Sequence, residues 1–267
     1  MVTRAAKAPR VDKAAAKTTY EQPLSERMRT LLRLEFLAQQ ASHHSLETSP
    51  WGSRAAVDSL LEIMTILGRG DIRGEVLKEL ERHQKLLAPF GSRPGVDTSR
   101  LDELLERVAA LRSGLSGVGA HFVQSLKESE FLSAIKHRSA IPGGTCEFDL
   151  PDFKHWLSLP YEQRDRDFGQ WFGSIKPLCD AVEQLLWLTR QSAEEEAQTA
   201  RSGLFQHSLP RGTPCQLLRV TLDARALVYP EVSGSQHRFT IRFLSWVGIE
   251  ERPAHVNSDV DFRLACC

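Results

Sequence analysis

The six residues RFTIRF, Arg238 to Phe243, alternate a polar side chain with a bulky apolar one. That period of two predicts a strand with one buried face, on which Phe239, Ile241 and Phe243 sit, while Arg238, Thr240 and Arg242 share the other. The same period runs through most of the chain after Gly203 and predicts strands at 204–208, 216–222, 237–244 and 256–265. Leu218, Val220 and Leu222 then face inward with Arg219 and Thr221 outward; Val260, Phe262 and Leu264 do the same with Asp259, Asp261 and Arg263 outside. Pro210 to Pro214, Tyr229 to Ser235 and Glu250 to Pro253 read as the turns between them.

Upstream the period is that of a helix. Leu24, Met28, Leu31, Leu32, Phe36 and Leu37 recur at helical spacing, and Val57, Leu60, Leu61, Met64 and Leu67 form a second stripe that stops at Gly68-Arg69-Gly70. Asp71 is placed to cap a third helix reaching Leu87, and Thr98 or Ser99 a fourth through Leu111. A shorter helix is expected at 128–138. Then Cys146, Phe148 and Leu150 alternate with acids as a short strand near 145–150 would, and Pro151 opens the next helix. Two further helical stretches follow, the longer running from Phe172 to Gln198. With helices first, strands last and no alternation of the two, the chain reads as α+β: a disordered basic extension over 1–19, a mainly helical domain over 20–200, and an antiparallel β domain over 201–267.

The chain has 267 residues, with Lys plus Arg equal to Asp plus Glu at 34 each, so no bulk field draws it to nucleic acid or an anionic membrane. No apolar run approaches the roughly 20 residues that membrane insertion needs. Five cysteines, an odd number with two adjacent at the end, suggest a reducing compartment rather than a disulfide framework. The phosphate loop, dinucleotide fingerprint, H-E-x-x-H zinc helix and G-x-S-x-G elbow are all missing, so an enzyme is not expected and neither is a cofactor. Cys146 reads as a half-buried strand thiol rather than a nucleophile using His137 or His155; His43-His44 reads as solvated loop; Trp156, Trp171 and Trp187 read as core.

Arginines carry what functional signal remains. Arg219, Arg238 and Arg242 read either as a basic row or as a solvated sheet face with cross-strand ion pairs. On the first helix, Arg29 and Arg33 lie four apart, where like charges repel and an acidic partner relieves the repulsion. Lys136, His137 and Arg138 before the Pro-Gly-Gly turn, and Lys154 and His155 after it, are expected to converge into one cationic pocket. These faces suit an acidic protein segment, because the guanidinium fork grips carboxylates bidentately. A regulatory nucleic-acid-binding module or another protein-interaction module is the alternative.

Several stretches taken together resemble the ZapD family of bacterial cell-division proteins: EQPLSERMRTLLRLEFL from Glu21, RGDIRGEVLKELERH from Arg69, PGVDTSRL from Pro94, IPGGTCEFDLP from Ile141, YPEVSGSQHRFTIRFL from Tyr229 and the ending DFRLACC. The resemblance covers roughly 20–267. It implies a cytoplasmic homodimer without catalytic activity, acting at the mid-cell division ring. In the family the partner is the C-terminal peptide of the tubulin-like protein FtsZ, whose filaments the two-headed dimer cross-links. It further implies that Arg33 matches a family arginine associated with the FtsZ pocket, with Arg29 accompanying it, and that a basic family position after FDLP falls on Lys154 beside His155. Where relatives can carry arginine in KESEFLSAIKHR, Glu130 stands here, and Lys127, Lys136 or Arg138 are the nearby cations.

Overall fold

Several helices in this chain start where a side chain is available to accept a backbone N–H. In the computed structural model, which describes residues 16–119, 122–210, 212 and 215–267, Ser25 accepts from Met28 N at 3.2 Å to open α1 (Glu26–Ser45). Ser49 accepts from Gly52 N at 3.0 Å to open α2 (Pro50–Leu67), and Asp71 from Gly74 N at 2.9 Å to open α3 (Ile72–Leu87). A 3-10 turn over Ala88–Ser92 leads to α4 (Thr98–Gly117), whose cap is Asp97 and not Thr98 or Ser99; Asp97 accepts from Arg100 N at 3.2 Å. The carboxylate wins because an acid at that position also meets the positive end of the helix dipole. Short helices α5 (Gln124–Glu128), α6 (Glu130–Ser139) and α7 (Pro151–Ser158) follow, the last with Pro151 in its first turn as expected.

Two helical expectations change. Where a break was expected before Phe172, α8 runs unbroken over Tyr161–Gln191, with Gly169, Gly173 and Pro177 inside it. A mid-helix proline costs roughly 3 kcal/mol. Full burial of Ile175, Leu178, Ala181, Val182 and Leu186 around that position offsets it, at roughly 1.5–3 kcal/mol for each large side chain. The short strand expected near 145–150 is a series of tight turns instead, with Cys146 N bonded to Gly143 O and Leu150 N to Cys146 O. These local bonds leave no ladder partner to find, and Phe148 points outward at 87% exposure.

The chain divides into two units, each described by itself: Arg29–Leu188, and the described residues up to Met28 together with Thr189–Cys267. In the first, Leu34, Val57, Leu60, Ile63, Leu80, Leu132, Ile135 and Phe153 are fully buried. Phe131 stacks on Trp171 at 5.6 Å and meets Phe153 edge-on at 5.9 Å, while Trp156 donates to Asp167 Oδ2 at 2.8 Å. Trp187, expected in the core, is 46% exposed. Arg164 is buried at 4% exposure and donates to four neutral oxygens: Thr48 O at 2.7 Å, Ser49 O at 3.2 Å, Leu159 O at 3.1 Å and the Ser53 hydroxyl.

The second unit holds all eight strands among the described residues. One sheet has the order β1 (Lys17–Pro23), β4 (Leu217–Asp223), β8 (Val260–Cys266), β2 (Glu196–Ala200); the other has β3 (Leu204–Ser208), β6 (Arg238–Ser245), β5 (Val228–Ser235), with β7 (Ala254–His255) paired to β6. All pairings are antiparallel. Phe239, Ile241 and Phe243 of one sheet and Val220, Phe262 and Leu264 of the other bury their inward faces in one shared core. Of the extension expected over 1–19, residues 1–15 lie outside the described residues, and Lys17 onward is strand, because Lys17–Pro23 pairs along the whole of β4.

Gln198, expected at a helix end, is instead strand, paired with Phe262. Glu194 to Gln198 are good helix formers, so here tertiary pairing overrides propensity. Tyr229 to Ser235, expected as a turn, forms β5 on the edge of its sheet, the one place where Pro230 leaves no ladder bond unmade. The β2–β3 connection turns at Ser202 (φ 47°) and Gly203 (φ 72°), the two positive angles that a two-residue hairpin of this twist needs. A Cβ on Gly203 would lie 2.1 Å from Val256 O.

Glu21 ties this unit together. Arg190 at the end of α8 grips it bidentately, with Nε to Oε1 at 2.9 Å and Nη2 to Oε2 at 2.8 Å. Its cross-strand neighbour Arg219 donates to Oε1 at 3.1 Å. Burial pushes the Glu21 carboxyl up, but the hydrogen bonds and charges of Arg190 and then Arg219 outweigh it and hold the group below its ordinary 4.5. A carboxyl lowered in the folded state stabilises fully above pH 4.5 and progressively less as pH falls through its folded value. Glu21→Gln is therefore expected to cost about 1–3 kcal/mol at pH 7, and urea unfolding should show that difference shrinking below pH 4.5. A pH-independent difference would overturn this account.

Candidate functional site

α1 turns its buried stripe inward at Met28, Leu31, Leu34, Leu37 and Ala41. That stripe, shifted toward Leu34 from the one expected, leaves Phe36 outside at 64% exposure. Four residues after α1 ends, α2 returns the chain, and a groove of about 400 Å³ opens between the two helices. Arg33, Phe36 and Leu37 line one wall, and Glu62, Thr65, Ile66 and Arg69 the other. Arg33 and Arg69 are exposed, and neither guanidinium bonds to a described residue. An exposed aromatic ring lining the same groove as two uncommitted guanidinium groups is chemically suited to carboxylates and an apolar side chain together.

A second groove, of about 630 Å³, lies along the other flank of α2 and shares Glu62 and Thr65 with the first. Asp58, Leu61, Lys136, Ile141 and Pro142 also line it. Burial pushes the Asp58 carboxyl above its ordinary 3.8; Arg54 opposes that rise and the charge of Glu62 adds to it. Lys136 is the cation facing these two acids across the groove.

The remaining expected cations do not converge on one pocket. Arg138 pairs with Asp149 at 3.5 Å and Lys154 pairs with Glu147, so the acids of the 146–150 turns take up both. His155 is exposed on α7, and Lys136 is the one member of that group lining the groove. Arg29 lies one helical turn before Arg33 and has a partner of its own. The sheet arginines form no single row, because Arg219 is in the β1-β4-β8-β2 sheet and held by Glu21, whereas Arg238 and Arg242 are in the other sheet. Arg242 pairs across strands with Glu231 at 2.7 Å, which is the solvated-face alternative. Arg238 is exposed.

Sequence reasoning missed Arg69, Phe36 and Glu62. Arg69 is hidden in a Gly-Arg-Gly helix stop, and Phe36 reads as part of a core stripe in which Leu34 is the buried residue instead. Cys146 donates to Asp149 at 3.4 Å. Burial pushes the Cys179 thiol up to about 12, which makes it a poor nucleophile. The terminal cysteines have a packing role: Cys266 lies against the β core beside buried Cys215, and Cys267 closes the backbone ladder with Leu217 N and O at 3.0 and 2.9 Å.

Asp58→Asn tests the electrostatics of the second groove. A carboxyl raised in the folded state favours folding only while protonated, below pH 3.8, and that advantage is lost as pH rises through the folded value. The variant should therefore unfold at higher urea than the parent at pH 7 and lose that lead near pH 3.8; a less stable variant at pH 7 would reverse the assignment.

Among the described residues no helix is long and apolar enough to cross a membrane. A family model described as ZapD, cell division protein, matches residues 32–242. The chain is 38% identical over 248 residues to a protein of Methylococcus capsulatus named cell division protein ZapD, an alignment covering 93% of this chain and 97% of that protein. Proteins of the same name from Escherichia coli and Shigella boydii match at 38% over 93% of this chain and 98% of theirs.

Proposed function

The chain belongs to the ZapD family of cell division proteins, and from that premise we propose that it is a non-enzymatic cytoplasmic factor that binds the C-terminal peptide of FtsZ. As a homodimer it would present two such sites, cross-link FtsZ filaments and bundle them at the mid-cell ring. The observation that carries the reading is the α1–α2 groove, lined by Arg33, Arg69 and exposed Phe36. Carboxylates of the peptide pair with the two guanidinium groups and an apolar side chain covers the ring. Across the Glu62–Thr65 ridge, Asp58 and Glu62 offer the opposite sign to a basic residue of the same peptide.

Binding of this kind is weak per site. Exposed ion pairs contribute about 0.2–1 kcal/mol each, and a desolvated aromatic contact somewhat more. A dimer makes that sufficient, since engaging one head raises the effective concentration of the other to roughly millimolar.

Co-sedimentation with assembled FtsZ tests the reading. The protein should pellet with filaments, and deletion of the FtsZ C-terminal peptide should abolish pelleting. Arg33→Glu and Arg69→Glu should each weaken binding about tenfold, the equivalent of about 1.4 kcal/mol, while Arg4→Glu, outside the family match, should leave it unchanged. Raising salt should weaken it further, because exposed pairs are screened over roughly 8 Å at physiological ionic strength. Equal losses for Arg33→Glu and Arg4→Glu would sink the groove, and pelleting that ignores the peptide deletion would sink the partner.

A further inference from the structure

His43 and His44 occupy the last turn of α1, not a loop, and Glu47 follows just after it. Adjacent residues on a helix point about 100° apart, so two neighbouring histidines do not ordinarily aim at one spot. Here the helix ends beneath them. Leu46 N bonds back to His43 O at 3.3 Å and Glu47 N to His44 O at 3.1 Å, which swings Glu47 under both rings. His44 Nδ1 lies 2.8 Å and His43 Nε2 3.9 Å from the same oxygen, Glu47 Oε1. One donor atom from each of the three residues falls within 4.8 Å of the others.

We propose that His43, His44 and Glu47 form a binding site for a divalent transition metal, with zinc the best-suited ion. Zinc bonds of about 2.0–2.2 Å place neighbouring donors about 3.3 Å apart in a tetrahedron. The two separations of 2.8 and 3.9 Å differ from that by amounts that small side-chain rotations accommodate. Two imidazoles with one carboxylate favour zinc, cobalt or nickel over magnesium or calcium, which take oxygen ligands. The C-terminal end of α1 adds its own negative dipole.

The position of Glu47 is also enforced from the far side. A Cβ on Gly52 would sit 2.3 Å from Glu47 Cβ, so the first turn of α2 packs directly on this residue and only glycine admits the approach. Three protein ligands leave a fourth position for water. A bound ion would join the end of α1 to the turn entering α2, stiffening the hairpin that carries the Arg33–Phe36–Arg69 groove. The site stands whether or not that groove binds FtsZ.

Cobalt titration of the full-length, chelator-stripped protein supplies the test, because cobalt reports its ligands optically. Nitrogen and oxygen ligands give weak visible bands alone, whereas thiolate ligands add an intense near-ultraviolet charge-transfer band. We expect saturation near one equivalent without the thiolate band, displacement by zinc but not by magnesium, and at least tenfold weaker binding on His43→Ala, His44→Ala or Glu47→Gln. Cys266→Ser with Cys267→Ser should bind as the parent does. Two results overturn the proposal: a thiolate band that disappears with the cysteine substitutions, or titrations of the parent and the His43→Ala/His44→Ala/Glu47→Gln triple variant that coincide. His43 and Glu47 are exposed and His44 is half-buried, so thermal midpoints in chelator are measured for each variant and should match the parent, which excludes misfolding as the cause.

Discussion

Arg164 holds the helical unit in register. A guanidinium has five N–H donors and is charged at every accessible pH, so burying one requires that its acceptors be supplied together. They come from the α1–α2 turn, Thr48 O and Ser49 O, from Ser53 one turn into α2, and from Leu159 O at the end of α7. Tyr161 extends the same junction by donating to Ser45 O at 2.9 Å. Ser45 O and Leu159 O lie at helix C-terminal ends, where carbonyls lack intrahelical partners, whereas Ser49 O also accepts from Ser53 N at 3.2 Å. Each buried oxygen deprived of its donor costs roughly 1–3 kcal/mol, so the turn at 46–49 has one affordable conformation. The groove depends on it, since Arg33 lies on α1, Arg69 lies just past the end of α2, and this turn joins the two helices.

A pair of arginines does the equivalent job in the β unit, where Arg190 and Arg219 converge on Glu21. This use of cations explains how a chain with no net charge can still present a basic patch. Arg138, Lys154, Arg201, Arg242 and Arg263 are each matched to an acid close by. What marks Arg33 and Arg69 is therefore not the number of arginines but the lack of an acid bonded to them, beside an aromatic ring left in water. Composition is blind to that distinction.

Much of the architecture was legible because periodicity reports burial directly. The strand Arg238–Ser245 buries the three residues its alternation selects, and α3 and α7 begin where Asp71 and Pro151 place them, whereas α2 starts at Pro50 behind Ser49, three residues before the Ser53 that the pattern suggested. Failures arose where a long-range partner decided the outcome. β2 is helix-forming sequence drawn into pairing with β8, and β5 carries turn residues that an edge position tolerates. Alternation in Cys146–Leu150 imitated a strand that has nothing to pair with. Within the site, Arg33 was accessible to sequence reasoning, but Phe36 was not: Leu34 and Phe36 both fit a helical stripe, and only the packing of α1 on its neighbours decides which is buried.

The short turn between α1 and α2 concentrates several constraints on a few residues. Arg164 fixes its carbonyls, Ser49 caps the following helix, Gly52 admits the close approach of Glu47, and Glu47 meets the two histidines that end α1. An ordinary surface turn tolerates substitution because solvent satisfies whatever is disturbed. Here a shift of the turn alters the angle at which α1 meets α2, and with it the separation of Arg33 from Arg69. A weak, charge-based groove is sensitive to that separation, because guanidinium–carboxylate bonds lose most of their strength within 1 Å of misplacement. On the proposed reading, the rigidity of the turn lets a small number of exposed contacts act as a specific site, and two such sites in the proposed dimer would raise avidity without requiring either groove to bind tightly.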